Sequence, residues 1–320
     1  MGADTPLASL LIPVHDARPF VRAAVESALA QTWPALEVLV VDDGSTDGSL
    51  AALDGLDDPR LVVLRQENAG KSVALNRALE VARGEFFAVL DADDLCHPER
   101  VARQVALLRA EPDVAAAFCG YDLLVGGRRL APRARDLDRA ACAAAIERMA
   151  MPGHDPTALF RRALVDDLAF DPELRVGQGL DFVLRAGERS PLLVLGECLY
   201  SYRVHFGSNT RRGVERRLAY LARVFAKACE RRGLPPERVE EQLAPLRALG
   251  GNRLRDNNLA AHFMESALDL RRSGRAAEAL RTGLACARLH PFDPHYHKAL
   301  LYSLLPLALV AKLRRTARAA

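Results

Sequence analysis

The chain has 320 residues, half of them hydrophobic, with a formal net charge of +3, enough to bury the core of one large domain or two smaller ones. Its six cysteines are scattered, with no CxxC pair and no metal-finger spacing, which argues against a disulfide framework and for reduced thiols in a cytosolic protein. Charge is uneven: residues 211–320 hold 22 Lys+Arg and 10 Asp+Glu, a net of +12, against −9 for residues 1–210, so two functional surfaces are expected.

The N-terminus, MGADTPLASLLIPVHD, lacks a basic start followed by a long apolar stretch, so no signal peptide is expected. Residues 7–14 (LASLLIPV) are an apolar run ending at Pro13 and read as a buried strand. In the next segment Phe20, Val21, Ala24, Val25, Ala28 and Leu29 share one helical face, with Pro19 near the first turn. LEVLVVDDGSTDGS is a second strand running into acids and glycine, and residues 50–56 read as a short helix. RLVVLRQ is a third strand. KSVALNRALEVARG is a helix with Gly84 as its expected C-cap. EFFAVLDADD is a fourth strand, and HPERVARQVALLRA a helix. Strands alternating with helices of this length predict an α/β layer with a largely parallel sheet. Ligands of such sheets bind beyond the carboxyl ends of the strands.

From about Val125 the pattern loosens. GGRRLAPRARDLD reads as a loop and AACAAAIERMAM as a helix. PGHDPTALFRRALVDDLAF reads as a loop, a short strand and a short helix, and LLVLGECLYSYRVH as a strand with a tail. Beyond about Arg211 the chain is mostly helical. GRAAEALRTGLACARLHPFDP resembles half of a tetratricopeptide hairpin, although such solenoids need about three repeats for stability.

Two strand ends carry the chemistry. Asp91, Asp93 and Asp94 fall within four residues, and so much like charge is tolerated where a hard divalent cation takes oxygen ligands together with a substrate phosphate. The plainer role is an N-cap for the helix near Pro98, which Asp94 could fill alone, leaving Asp91 and Asp93 without a reason. Asp42 and Asp43, in VVDDGSTDGS, could accept hydrogen bonds from a base or ribose or simply form an Asx-turn.

In order, the stretches LLIPVHDARPFVRAAVESALAQTWPALEVLVVDDGSTDGS, ENAGKSVALNRALEVARGEFFAVLDADD, TALFRR and YRVHFGSNT resemble a family 2 inverting glycosyltransferase of the GT-A fold, over residues 7–210. The resemblance implies a GT-A domain at 1–210, with a nucleotide-binding half at 1–125 and an acceptor half at 126–210, followed by a basic helical region at 211–320. It implies that Pro13, Asp42 and Asp43 line the base pocket, that Lys71 contacts the nucleotide, and that Asp91 faces the ribose or donor sugar. Asp93, with Asp94 beside it, would bind Mn²⁺ or Mg²⁺, and His205 would approach the metal or diphosphate; otherwise His205 is a packing or surface residue.

Two positions depart from the family's pattern. A Gly-Glu-Asp sequence normally precedes the helix carrying Leu184 and Arg185, and its second acid is the general base. Here Gln178 and Gly179 stand in those places. Asp181 and Asp155 are the candidate replacements, with His154 as a further base. Asp181 lies two residues on, and two helical positions rotate a side chain by about 200°. The reading is a metal-dependent enzyme moving a sugar from a nucleotide-sugar donor, most simply a UDP-sugar, to a cell-surface glycan or lipid-linked acceptor at the cytoplasmic face of the membrane. Its alternative is a binding subunit that has lost its base. No run reaches the roughly 18 apolar residues of a membrane span. The apolar residues 299–311, with Lys312, Arg314, Arg315 and Arg318 beyond them, suggest peripheral contact with anionic lipid or a helical cap with a solvated basic face. No nucleic-acid motif is found.

Overall fold

The computed structural model describes residues 5–205, 214–248, 253–310 and 313. The strands are β1 (Ala8–Val14), β2 (Leu36–Asp43), β3 (Leu61–Gln66), β4 (Phe86–Val89), β5 (Leu95–Cys96), β6 (Ala116–Val125), β7 (Arg128–Arg133), β8 (Leu159–Arg161) and β9 (Leu192–Arg203). The helices are α1 (Val21–Leu29), α2 (Lys71–Val81), α3 (Arg100–Ala110), α4 (Arg139–Glu147), α5 (Gln178–Gly187), α6 (Val214–Arg232), α7 (Glu237–Ala248), α8 (Arg253–Arg272), α9 (Ala276–Leu289) and α10 (Pro294–Leu304). Two units emerge, one of Met1–Tyr121, Ala134–Arg203 and Glu215–Pro245, the other of Asp122–Arg133, Val204–Val214 and Leu246–Ala320.

The first unit is built on a sheet ordered β3-β2-β1-β4-β8-β6-β9-β5. Its first four strands are parallel, and β8 runs antiparallel to β4 and to β6. This is the α/β fold expected, with the added finding that beyond β4 the sheet turns antiparallel. β1 and the middle of β2 are apolar because helices cover both faces of the parallel part, and β2 is buried at every residue, its acids Glu37, Asp42 and Asp43 included. Leu10, Ile12, Val38, Val40, Phe86 and Ala88 join Val25 of α1 and Val101 and Val105 of α3 in the core. Residue pairing puts Val14 beside Asp42, and Leu11 beside Val89. The carboxyl ends of β1, β2 and β4 therefore share one edge, where both acidic clusters emerge.

Gly84 does not cap α2. The helix gives way to extended backbone at Ala82, and a β-carbon on Gly84 would lie 2.5 Å from Ser9 Oγ and from the Phe86 carbonyl. Glycine is needed there for close packing beneath β1. The short helix expected at 50–56 is a single 3₁₀ turn at Ala51–Leu53. The +12 charge of the C-terminal third is partly internal to this unit. On α6, Arg223 pairs with Glu173, Lys227 with Asp171, and Arg231 and Arg232 with Glu188. The acids of 171–188 thus draw α6, from beyond the sequence boundary at 210, into the first unit.

The second unit contains the end of β6, β7, and α8 to α10. The segment read as a loop from Gly126 is a β-hairpin: Gly126 and Gly127 have φ of 54° and 76° and form the two-residue link between β6 and β7. Two consecutive positive φ values are the requirement of a type I′ turn, which glycine meets without strain. His262 and Ser266 of α8 bond the carbonyls of Ala131 and Pro132 on β7, at 2.6 and 3.1 Å. α9 and α10 form a helical hairpin, packed so closely that a β-carbon on Gly283 would lie 2.6 Å from Leu300 Cα. None of the six cysteines forms a disulfide.

Candidate active site

Asp43 ends β2, and its carboxylate holds the turn before α2. Oδ1 accepts from Ala69 N–H and Gln66 Nε2, and Oδ2 from Gly70 N–H, each at 2.8 Å. A carboxylate offers about four lone-pair sites, so capacity for one more donor is left. Asp42 is turned to its own Asp-Gly-Ser loop, accepting from Ser45 N–H at 3.1 Å. Pro13 is half-buried next to Val41. The turn fixed by Asp43 places Lys71 at the first position of α2, and Lys71 Nζ reaches Asp91 Oδ1 at 2.5 Å. Burial alone would depress the Lys71 ammonium, but the negative charges of Asp91, Asp155 and Asp93 override it and hold its pKa above the ordinary value.

β4 stops at Val89, and Asp91 to Asp94 form a tight turn closed by Asp94 N–H on the Asp91 carbonyl. Asp94 is not a helix cap: α3 starts after Glu99 without a side-chain cap. Instead, buried Asp94 accepts from Tyr200 Oη at 2.6 Å and from Arg203 N–H at 2.7 Å. Arg203 Nε also donates to the Asp93 carbonyl, so β9 clamps the turn. Burial, then the charges of Asp93 and Asp91, push the Asp94 carboxyl well above its usual range. Oxygens of Asp91, Asp93 and Asp94 lie within 4.8 Å of one another. An all-carboxylate set so spaced fits a hard divalent cation. His205 is not part of this cluster; it follows β9 in the segment grouped with the second unit, and the FGSNT residues after it lie outside the described residues.

Beside Lys71 opens a small cleft lined by Lys71, Asp155, Phe160, Gln178, Gly179 and Phe182 among others. Asp155 begins a 3₁₀ turn, Asp155–Thr157. That turn is fixed from below by fully buried Arg100, which donates to the carbonyls of Pro156 (2.7 Å) and Ala158 (3.2 Å), and by Gln104, which donates to that of Thr157 (2.8 Å). The structure thus brings together Lys71, Asp91, Asp93, Asp94 and, through Lys71, Asp155. It sends Asp181 elsewhere: 2% exposed, it pairs with Arg185 at 2.7 Å and faces Arg231 at 3.6 Å, and it does not line the cleft. Sequence reading missed Arg100, Gln104 and Tyr200. Arg100 and Gln104 stand four apart on a helix face with Val101, Val105 and Leu108, and two polar residues in an otherwise apolar stripe were the available signal.

A family model for glycosyl transferase family 2 matches residues 9–169. The chain belongs to glycosyl transferase family 2. The Escherichia coli uncharacterized glycosyltransferase YibD is 40% identical over 116 residues, 36% of this chain and 33% of that protein. Bacillus subtilis TuaG, a glycosyltransferase whose name places it provisionally in teichuronic acid biosynthesis, is 38% identical over 122 residues, 37% of this chain and 48% of that one. The matches span about a third to a half of the length of these curated relatives. Among solved structures, S. aureus TarS 1-349 in complex with UDP-GlcNAc has a TM-score of 0.60 at 20% identity, covering 93% of this chain and 88% of TarS. The mannosyltransferase PcManGT from Pyrobaculum calidifontis, in complex with GDP-Man and Mn²⁺, gives 0.58 at 23% identity, covering 94% and 86%. The fold is GT-A, as expected.

Proposed function

We propose that this family 2 chain is a metal-dependent inverting glycosyltransferase that moves a sugar from a nucleotide-sugar donor, most simply a UDP-sugar, to a hydroxyl of a glycan or lipid-linked acceptor in cell-surface polysaccharide synthesis. The observation that carries this reading is the cluster of Asp91, Asp93 and Asp94 at the end of β4, with Lys71 on Asp91. When bound there by Asp93 and Asp94, Mn²⁺ or Mg²⁺ would neutralise the departing diphosphate. Lys71 adds a fixed positive charge at the same corner, and Asp43 keeps the turn that presents Lys71 rigid. Asp42, Asp43 and Pro13 would line the pocket for the base, with Asp91 toward the ribose or sugar.

The acceptor class is supported by the relatives' names, TuaG's above all. The donor class is supported by the nucleotide sugars held by TarS and PcManGT. No helix among the described residues is long and apolar enough to cross a membrane. Peripheral contact with the inner face of the membrane is supported by the exposed side chains of Leu301, Leu304, Leu307, Leu309 and Leu313; Lys312, Arg314, Arg315 and Arg318 lie outside the described residues.

The test is release of nucleoside diphosphate from UDP-GlcNAc and from GDP-mannose in the presence of Mn²⁺. Turnover that EDTA abolishes is expected with at least one donor. Turnover unaffected by EDTA, or by Asp93→Ala, would defeat the reading.

A further inference from the structure

We infer that Asp155 is the catalytic base of this chain, delivered from the turn before β8 rather than from the start of α5, and that Gly179 is the residue whose smallness admits it. This inference rests on the transfer reaction proposed above.

A β-carbon built at position 179 would lie 2.0 Å from Asp155 Oδ2 and 2.7 Å from its Cγ. Both separations are far inside the roughly 3.5–4.0 Å at which non-bonded carbons pack best, so a side chain at 179 requires Asp155 to shift. An acid at 179, the family's usual arrangement, therefore displaces the Asp155 carboxylate from this position. Gly179 reads as loss of the base when the sequence is taken alone. In three dimensions a carboxylate from another wall occupies the space.

Three further observations place Asp155 for the reaction. It lines the same cleft as Lys71 and Gln178, and Lys71 also holds Asp91 of the proposed donor site. Its turn is preorganised, because Arg100 and Gln104 tie down the three carbonyls from Pro156 to Ala158 and Thr157 Oγ1 closes back on the His154 carbonyl at 2.6 Å. A base held this way loses little entropy on reaching its substrate. Finally, buried Gln178 Oε1 has no hydrogen-bond partner among the described residues, an unmet acceptor that a hydroxyl-bearing ligand would satisfy. His154 lies beside Asp155, Nδ1 to Oδ1 at 3.4 Å, its ring packed against Tyr121 and Tyr202, where it orients the carboxylate.

In the step itself, the acceptor hydroxyl oxygen forms a bond to the anomeric carbon. The bond from that carbon to the diphosphate oxygen breaks, its electron pair leaves with the nucleoside diphosphate, and the hydroxyl proton passes to Asp155.

The experiment measures nucleotide release from UDP-GlcNAc and GDP-mannose with Mn²⁺, water serving as acceptor, alongside calorimetric binding of the same donors. The variants are Asp155→Asn, His154→Gln, Gly179→Asp and the swap Asp155→Gly/Gly179→Asp. Asp155→Asn should lower kcat by about 10²–10⁴ while donor affinity stays within about twofold. His154→Gln should cost less than Asp155→Asn. Gly179→Asp should lower turnover, because two carboxylates compete for one space, and the swap should recover at least about tenfold over Asp155→Asn by returning an acid from α5. Wild-type turnover in Asp155→Asn, increased turnover in Gly179→Asp, or a wild type that binds donor and releases no nucleotide would each overturn the proposal. A wild type that binds neither donor with Mn²⁺ would instead bring down the donor-site reading on which it rests.

Discussion

The two acidic corners on either side of Lys71 are built in opposite ways. On the side proposed for the donor, Asp91, Asp93 and Asp94 come from four consecutive residues at one strand end, and β9 clamps them through Tyr200 and Arg203. On the side proposed for the acceptor, Asp155 comes from a turn pinned by α3 and faces a glycine on another helix. The first corner concentrates charge along the chain. The second assembles it across the fold. A motif is visible where neighbours in sequence act together, and disappears where the partners are neighbours only in space.

The largest effect that could break this comparison is at the donor corner. Asp93→Ala should cut turnover by about 10³ or more, since neutralising the leaving group is worth several kcal/mol. A fall of less than tenfold would mean that the cluster is structural. At the acceptor corner the corresponding loss comes from the support. Arg100→Met would leave the buried carbonyls of Pro156 and Ala158 without their donor, at about 1–3 kcal/mol for each. Both Tm and turnover should fall, whereas donor affinity should change less than turnover; an unaltered Tm would remove Arg100 from the account.

A smaller effect separates the two sequence candidates for the base. Asp181→Asn breaks the ion pair with Arg185 inside the fold, so thermal unfolding should report a loss of about 1–3 kcal/mol. Turnover per folded molecule should stay within about threefold, because a side chain outside the cleft removes no interaction with the transition state. Loss of kcat comparable to that of Asp155→Asn would reverse the assignment.

The smallest effect concerns an acid at the opposite end of β2. Glu37 is buried and accepts from Ser9 Oγ (2.6 Å), Arg83 N–H (2.7 Å) and the Arg83 guanidinium. Burial alone would raise its pKa, but the Ser9 and Arg83 bonds outweigh it and hold the carboxyl below its ordinary value. A depressed carboxyl stabilises the fold fully above the unfolded pKa, about 4.3, and loses that contribution as pH falls through the folded value. The Tm gap between wild type and Glu37→Gln should therefore be widest near neutral pH and shrink below about pH 4. A gap that widens on acidification would contradict the assigned direction.

Much of the N-terminal half was legible because its signals are local. Apolar runs marked β1, β2 and β4, and each acidic cluster stood at the end of its strand. The β6–β7 hairpin was missed because Gly126-Gly127 and the arginines after it look like loop; the pair is the hairpin signal itself, a two-residue link requiring positive φ twice. The basic charge of α6 looked like an outward surface because its partners, Asp171, Glu173 and Glu188, lie far back in the chain. Gly179 looked like a deletion of chemistry because the atom that fills its place belongs to Asp155.

The most direct test of the central claim is calorimetric titration of UDP and GDP into the protein with and without Mn²⁺, repeated on Asp93→Ala. The account predicts binding of at least one nucleotide that requires Mn²⁺ and is lost in the variant. Nucleotide binding of equal strength without metal, or none with it, would contradict a donor site at the end of β4.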